Sequence, residues 1–240
     1  MLSLDLTLPT PQENIALDEA ILEAAEAGEI QNEVVRIWCP DTPIVVLGRS
    51  SKHEQEVNLG YCESQQIPVI RRCSGGATIL TAADCLMYAV LLRKNSRREL
   101  QNLDTTHDFV IERIRRAIEN CGVETQMQGT CDVTIDNRKV SGNALRYKRQ
   151  WLIYHGTLIC QGMDLSLISN CLGTPARQPD YRNGREHENF LAAMPVSTEQ
   201  LKSALFDVWQ ANEKLFPWPE QLTQKLASEK YLLDSWNFRH

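Results

Sequence analysis

Apolar residues fall at two spacings along this chain, one typical of helices and the other of strands. Helical spacing over residues 14–28 and 107–122 predicts two amphipathic helices, each with a glycine at its end. A third helix is predicted over residues 197–216, because Ser197 and Gln200 form a capping-box pattern at its start. Shorter helices are predicted over residues 58–66, 164–172 and 219–232.

Runs of apolar and β-branched residues between these helices predict strands. The strands cover residues 34–38, 43–49, 68–72, 77–80, 85–92, 132–136, 139–147 and 150–160. The first two are separated by a short turn and are expected to form a hairpin. Strands and helices do not alternate regularly enough for a doubly wound parallel sheet. The predicted fold class is therefore α+β, with a mixed, mainly antiparallel central sheet flanked by helices.

Length and composition restrict the classes of protein that fit. The length suits one domain over residues 1–240, with a helical C-terminal part over residues 196–240. A net charge of −6 argues against a general nucleic-acid binder. The chain lacks a long apolar window and the features of a secretory signal, so no membrane span is expected. The eight cysteines contain no C-x-x-C pair, which predicts reduced thiols in a cytoplasmic protein and no zinc site.

The stretch “RRCSGGATIL”, residues 71–80, places arginines, a serine and two glycines before an apolar run. It fits two interpretations. Gly-Gly is a common hairpin turn, whereas glycines with nearby arginines also let a backbone approach an anion closely. The stretch matches neither the Walker phosphate loop nor the dinucleotide-binding fingerprint.

A second cluster of polar residues lies on the strand over residues 139–147. Lys139 and Ser141 alternate with Val140 and are therefore expected to share a face, and Gly142 leaves room for a ligand. A solvated basic strand is the alternative. Downstream, “HGT” at residues 155–157 interrupts an apolar strand, which core packing alone does not favour.

Taken in order, these segments resemble the lipoate–protein ligase family, within the wider group of biotin and lipoate ligases and octanoyltransferases. “NIALDEAIL” is similar to its first helix, and “VRIWCPDTPIVVLGR” to its first strand pair. “IPVIRRCSGGATIL” resembles its glycine loop, “CDVTIDNRKVSGNA” its lysine strand, and “HGTLI” the strand that follows.

The resemblance implies a reaction and its substrates. Lipoate would be activated by ATP, with Mg²⁺, to lipoyl-AMP, and the lipoyl group would pass to a lysine of an acceptor lipoyl domain. It implies that Lys139 is catalytic. The residues expected to bind the substrate or the adenylate are Arg49, Arg72, Ser74, Gly75, Gly76, Ala77, Asp132, Ser141, Gly142, His155, Gly156 and Thr157. Val45, Leu47, Ile79 and Leu158 are expected to line the slot for the acyl chain, and no protein metal ligand is assigned.

The chain departs from the family pattern at three points. Ala77 stands where the family usually has a third glycine, which would be strained if that backbone needed a positive φ. Thr81 and Ala82 replace a His-Asp pair, so the histidine's role is either absent or moved, with His155 as its replacement. No C-terminal accessory domain is expected at this length, which suggests a separate accessory subunit.

Two other functions remain open. Octanoyltransferases carry out a related transfer without ATP, from octanoyl-carrier protein through a cysteine thioester, and Cys131 and Cys171 are the candidate nucleophiles. A protein that binds lipoate or a lipoyl domain without turnover is the non-enzymatic alternative.

The polar stretch over residues 175–187 is either a plain surface loop or a lid that brings arginines to the adenylate or to the acceptor. Its basic residues are Arg177, Arg182, Arg185 and His187. Because acceptor domains of the family are typically acidic, this stretch and Arg146, Lys148 and Arg149 are the predicted docking face.

Overall fold

The computed structural model describes residues 1–175 and 178–239. An eight-stranded sheet has the order β11-β1-β2-β6-β10-β9-β8-β7, and a second sheet has the order β4-β3-β5. The strands are β1 (Leu2–Asp5), β2 (Val34–Trp38), β3 (Ile44–Leu47), β4 (Val69–Arg71), β5 (Ile79–Thr81), β6 (Cys85–Arg93), β7 (Gln126–Gln128), β8 (Asp132–Ile135), β9 (Arg138–Tyr147), β10 (Trp151–Ile159) and β11 (Glu213–Lys214).

Helices cover the sheets. They are α1 (Pro11–Glu26), α2 (His53–Glu56), α3 (Leu59–Ser64), α4 (Leu103–Asn120), α5 (Leu165–Cys171), α6 (His187–Phe190), α7 (Thr198–Val208), α8 (Glu220–Leu226) and α9 (Asp234–Asn237). α1 starts earlier than predicted because Thr10 and Glu13 form a capping box ahead of Asn14. None of the helices in the two described ranges is long and apolar enough to cross a membrane.

The predicted fold class is confirmed. β1 runs parallel to both of its neighbours, and every other pairing in the large sheet is antiparallel. β3 is parallel to β4 and antiparallel to β5.

The predicted hairpin of residues 34–38 and 43–49 is wrong. β2 pairs with β1 and β6 in the large sheet, whereas β3 pairs with β4 and β5 in the small one. The short connection therefore carries the chain from one sheet to the other. Strand propensity identified both segments, but it carries no information about their partners.

The C-terminal part contains more than helices. The predicted helix over residues 197–216 ends at Val208, and Glu213–Lys214 then pairs with β1 at the edge of the large sheet. Beyond α8 the chain forms a single π-helical turn over Ala227–Tyr231. The sequence analysis also missed β1 and β7, which are edge or near-edge strands of three or four residues.

Side chains of β10 project alternately from the two faces of the large sheet. Leu152, Tyr154 and Leu158 pack against α4 and α7 in the main core. Because side chains alternate along a strand, His155 and Thr157 project from the opposite face. That face is shared with α1, which packs onto Ile153 through apolar residues. On this face of the large sheet, a space remains between the large sheet and the small sheet.

Candidate active site

A cavity of about 170 Å³ lies between the two sheets. The large sheet contributes His155 and Thr157 from β10, together with Gly142 and Ala144 from β9. Gly142 pairs with Thr157 and Ala144 with His155, so all four residues are on one face. The two small residues on β9 leave the space in front of β10 open.

A β-bulge directs Lys139 into this cavity. Across the β8–β9 pair, Val133 faces Ser141 but Thr134 faces Lys139, so β9 carries one extra residue. The Lys139 side chain consequently lies on the same side of the strand as Gly142. A Cβ atom added to Gly142 would lie 3.2 Å from Lys139 Nζ. The expectation that Lys139 and Ser141 share a face is therefore wrong. Ser141 is completely buried and does not line the cavity.

Lys139 is held by a carboxylate at the start of β8. Its Nζ lies 2.8 Å from Asp132 Oδ1, and Tyr181 donates a hydrogen bond to Asp132 Oδ2 at 2.7 Å. The lysine stays partly accessible, with 24% of its side chain exposed. Asp132, which was expected to bind substrate, forms an ion pair with Lys139 in the structure.

Gly156 makes room for a polar side chain that the sequence analysis did not single out. A Cβ atom at this position would overlap the side-chain oxygen of Asn143. That oxygen accepts a hydrogen bond from the buried Tyr88 hydroxyl, and Asn143 Nδ2 donates to the Cys131 carbonyl at 2.6 Å. The glycine in “HGT” therefore fixes Asn143 at the cavity wall.

The glycine loop is a crossover and not a hairpin turn. It links β4 to β5, which are separated by β3 in the small sheet. Its shape is set by Arg72, whose Nη2 donates to the carbonyls of Gly75 at 2.5 Å and Ala77 at 3.0 Å. Burial lowers the pKa of Arg72 to about 10, so it remains a cation at neutral pH. Its charge lies beside the cavity while its donors hold the loop.

The tip of this loop presents unused donors. Gly75, Gly76 and Ala77 are exposed, and no acceptor within the two described ranges receives a hydrogen bond from their backbone N–H groups. Successive free N–H groups of this kind form an anion-binding nest. Of the two interpretations of “RRCSGGATIL”, the structure thus favours the anion loop.

Ala77 is accommodated without strain. The positive φ in the loop, +87°, belongs to Gly76, and Ala77 is absent from the non-glycine residues with positive φ. A different glycine, Gly48, is required for close packing, because a Cβ atom there would overlap the Gly76 carbonyl. The condition under which alanine would be costly is therefore not met.

His155 joins the loop to the first helix. Its Nδ1 lies 3.0 Å from Asp18 Oδ2, and its Nε2 lies 2.5 Å from Ser74 Oγ. A carboxylate only accepts, so Nδ1 carries the proton and Nε2 accepts from the serine hydroxyl. Arg72 Nε donates to the same hydroxyl at 3.1 Å. The arrangement holds both ring nitrogens of His155 in place.

Asp18 is itself tied to a buried arginine. Arg36 Nη1 lies 2.5 Å from Asp18 Oδ1, and the arginine side chain is fully buried. Burial opposes ionisation of Asp18, but the charge of Arg36 and the hydrogen bond from His155 outweigh it and hold the pKa of the carboxyl below its usual value. Asp18 therefore stays a carboxylate and keeps His155 in one tautomer.

Several predicted residues lie elsewhere. Arg49 is exposed and outside the cavity, and its backbone N–H donates to the Ser74 carbonyl at 2.8 Å. The thiols of Cys131 and Cys171 do not line the cavity either. Burial raises the pKa of Cys131 to about 11 and that of Cys171 to about 12, which suits neither to nucleophilic attack.

The face of β3 that lines the cavity is the opposite of the one predicted to line an acyl slot. Val46 lines the cavity, whereas Val45 and Leu47 point into a separate apolar cluster and Leu158 into the main core. Ile79 was predicted correctly. The other apolar lining residues are Ile15, Leu80, Met87, Ile159, Ile168, Leu172, Phe190 and Leu191.

Four residues of the stretch over 175–187 line one side of the cavity, namely Pro175, Pro179, Arg182 and His187. Arg182 and His187 line the cavity and are buried, whereas Arg185 donates to backbone carbonyls that include those of Tyr181 and Asn137. Arg177 lies outside the described residues. The described residues of this segment thus form part of the cavity wall.

The predicted docking face combined the 175–187 stretch with Arg146, Lys148 and Arg149, and of these three residues Arg146 and Lys148 are already paired. Arg146 lies 3.1 Å from Glu19 and Lys148 lies 2.7 Å from Glu23. Glu19 and Glu23 therefore already neutralise the positive charges of Arg146 and Lys148, which an acidic partner would need.

No three His, Cys, Asp or Glu side chains in residues 1–175 and 178–239 are arranged to hold a metal ion. Asp132, the carboxylate nearest to Lys139, already holds that lysine. We therefore derive no step through a metal bound by protein ligands.

Known proteins resemble this chain over most of its length. Residues 10–207 match the model of the lipoyl protein ligase A/B catalytic domain. The chain is 25% identical over 242 residues to lipoate–protein ligase 1 of Staphylococcus aureus, which covers 95% of this chain and 70% of that protein. It is 22% identical to octanoyltransferase LipM of Halalkalibacterium halodurans over 95% of both chains.

Solved structures share the fold. A lipoate-protein ligase A with bound ATP has a TM-score of 0.85 at 19% identity, covering 99% of this chain and 98% of that one. A bi-partite lipoate protein ligase from Thermoplasma acidophilum, studied with its E2 lipoyl domain, has a TM-score of 0.82 at 20% identity, covering 99% and 95%. The resemblance found in the sequence is confirmed, and the chain belongs to the lipoyl protein ligase A/B catalytic domain family.

Proposed function

We propose that this chain is a lipoate–protein ligase that activates lipoate with ATP and transfers the lipoyl group to a lysine of an acceptor lipoyl domain. One observation carries the proposal. Ala77 of the glycine loop, whose backbone N–H is free, and the ammonium of Lys139 line one cavity whose remaining wall is largely apolar. This combination suits a short acyl chain that ends in a carboxylate and meets a phosphate.

In the activation step, a lipoate carboxylate oxygen attacks the α-phosphorus of ATP. The bond from that phosphorus to the bridging oxygen breaks, and pyrophosphate leaves. Both reactants are anions, so their approach requires fixed positive charge and hydrogen-bond donors. Gly75, Gly76 and Ala77 supply backbone donors, and Lys139 supplies a charge that Asp132 orients.

In the transfer step, the acceptor lysine amine attacks the acyl carbonyl, and AMP leaves with the electrons of the C–O bond. The attacking nitrogen must lose a proton. His155 lines the cavity, and in its neutral form it can take up this proton at Nε2, directly or through the Ser74 hydroxyl. Asp18 stabilises the imidazolium that results.

The remaining assignments rest on this reaction. ATP use is supported by the ATP-bound relative, and Mg²⁺ would arrive with the nucleotide as part of the substrate. A lipoyl domain as acceptor and a separate accessory subunit are supported by the bi-partite archaeal relative. A cytoplasmic location is supported by the eight free cysteines.

The transferase is less well supported than the ligase. The match to octanoyltransferase LipM spans nearly the whole chain, but no cysteine lines the described part of the cavity. A thioester intermediate on Cys131 or Cys171 would require a thiol to move into the cavity.

Pyrophosphate release by the purified chain tests the proposal and the non-enzymatic alternative together. We expect release that depends on both lipoate and ATP in the absence of any acceptor. A folded chain that binds lipoate but releases no pyrophosphate would instead be a binding protein.

A further inference from the structure

Arg182 is a buried guanidinium without a counter-ion. The residue is 3% exposed and lines the cavity. Its Nη2 has no hydrogen-bond partner and forms no salt bridge with any carboxylate of the described residues. Only Nε is used, donating to the Arg185 carbonyl at 2.8 Å. A buried, unpaired charge of this kind is costly unless a ligand completes it.

The other cations at this end of the cavity are already satisfied. Lys139 is paired with Asp132 at 2.8 Å, and Arg185 donates to carbonyls of the covering segment and of the β8–β9 turn. The nearest histidine, His187, has Nε2 bonded to the Gly173 carbonyl at 3.2 Å. Burial lowers the pKa of His187 and so favours its neutral form. Among the described residues of this segment, Arg182 is therefore the cation that remains available.

The position of the guanidinium is fixed by packing. Its central carbon lies 4.8 Å from the centre of the Phe190 ring, and Phe190 also lines the cavity. Tyr181 precedes Arg182 and is anchored to Asp132, the residue that holds Lys139. The backbone N–H of Arg182 donates to the Pro179 carbonyl at 2.9 Å. These contacts hold the Arg182 guanidinium against the apolar lining of the cavity.

We propose that Arg182 binds an oxyanion of the substrate in the cavity that it shares with Lys139 and Ala77. A planar guanidinium with unused N–H donors matches a carboxylate or a phosphate group. This inference rests on the proposed function, which brings both groups into the cavity. The acyl carboxylate is the favoured source, because Arg182 packs on apolar lining residues and not on the glycine loop.

Equilibrium binding of octanoate and its neutral analogue octanamide tests the proposal on the full chain. For the wild type, we expect octanoate to bind at least about tenfold more tightly than octanamide. Arg182→Gln should remove this preference, and Arg182→Lys should restore part of it because the charge returns. Arg116→Gln, at an exposed position on α4, is the matched control and should bind as the wild type does. Thermal unfolding confirms that each variant is folded.

A second arm measures binding of a non-hydrolysable ATP analogue to the same variants. If Arg182→Gln weakens only this ligand, the oxyanion is a nucleotide phosphate and the anion site stands. If a folded Arg182→Gln binds both ligands as the wild type does, the inference is overturned. If the octanoate preference is lost as expected but the wild type makes no acyl-adenylate, the proposed function fails while the anion site is retained.

Discussion

The Ser74 hydroxyl lies 2.5 Å from His155 Nε2, although the two residues are 81 positions apart. The contact joins the start of the glycine loop to the middle strand of the large sheet. Asp18 on α1 fixes the other ring nitrogen at 3.0 Å. A third element is therefore needed before the loop and the strand meet correctly.

Lys139 should be essential for activation. We expect Lys139→Ala to slow lipoate-dependent pyrophosphate release by about 100-fold or more, because a charge positioned for the transition state is lost. Lys148→Ala is the matched control, since Lys148 pairs with Glu23 outside the cavity. A Lys139→Ala variant with normal release would show that another group stabilises the developing charge.

Asp18 should contribute to stability through Arg36. We expect Asp18→Asn to lower the free energy of unfolding by about 3–5 kcal/mol, because it leaves a buried guanidinium unpaired. Asp5→Asn removes an exposed partner of Lys202 and should cost at most about 1 kcal/mol.

The pH dependence of this effect has a definite sign. The pKa of Asp18 is lowered by folding, so the carboxylate stabilises the native state fully above its ordinary pKa of 3.8. Its contribution is lost as the pH falls through the lower folded value. In denaturant titrations, the difference between wild type and Asp18→Asn should be constant near neutrality and shrink below about pH 3.8. A difference that grew on acidification would contradict the assignment.

His155 should matter more for transfer than for activation. We expect His155→Gln to reduce transfer to a lipoyl domain by about 100-fold and to leave pyrophosphate release within a few-fold of wild type. The variant should also lose one ionisation from the pH profile of the transfer rate, which a merely structural loss would not cause. His53→Gln, outside the cavity, is the control. Equal loss in both steps would assign His155 to holding the loop.

Two glycines should respond differently to alanine. At Gly48 a Cβ atom overlaps the Gly76 carbonyl, so Gly48→Ala should lower stability by about 1–3 kcal/mol. At Gly75 a Cβ atom meets no atom within 4 Å, so Gly75→Ala should unfold at the wild-type temperature. If ligand approach is the reason for Gly75, the variant should still raise the KM for ATP by about tenfold. An unchanged KM would remove Gly75 from the anion site.

Local patterns in the sequence predicted most elements but not their long-range partners. The apolar periodicity located α1, α4, β6 and β10, since it reflects burial of one face. It could not show that β2 and β3 belong to different sheets. The choice of Val45 and Leu47 over Val46 failed for a related reason, because alternation defines two faces without saying which one meets the cavity.

The sequence likewise identified some residues of the candidate site and missed others. Lys139 and the glycine loop stand in recognisable motifs, whereas Asp18 reads as an ordinary polar position on a helix. Its role depends on Arg36 and His155, which are 18 and 137 positions away. Arg182 stood out only as part of a basic stretch, and its missing counter-ion became visible once the segment was placed over the cavity.

The buried thiols should be dispensable. Cys131→Ala and Cys171→Ala should each retain activity within about threefold, because a pKa of about 11 or 12 leaves roughly one thiolate in ten thousand or fewer at neutral pH. Alkylation of Cys131 in the folded chain should be slow at pH 7 and still rise above pH 9. Loss of activity in either variant without loss of folding would favour the transferase.

The mass of a lipoyl domain after incubation with the chain tests the central claim most directly. Lipoate with ATP and Mg²⁺ should add one lipoyl group to the domain, and the addition should disappear with Lys139→Ala. Octanoyl-carrier protein without ATP should add nothing. A mass increase seen only with octanoyl-carrier protein, and abolished by Cys131→Ala or Cys171→Ala, would contradict the ligase assignment.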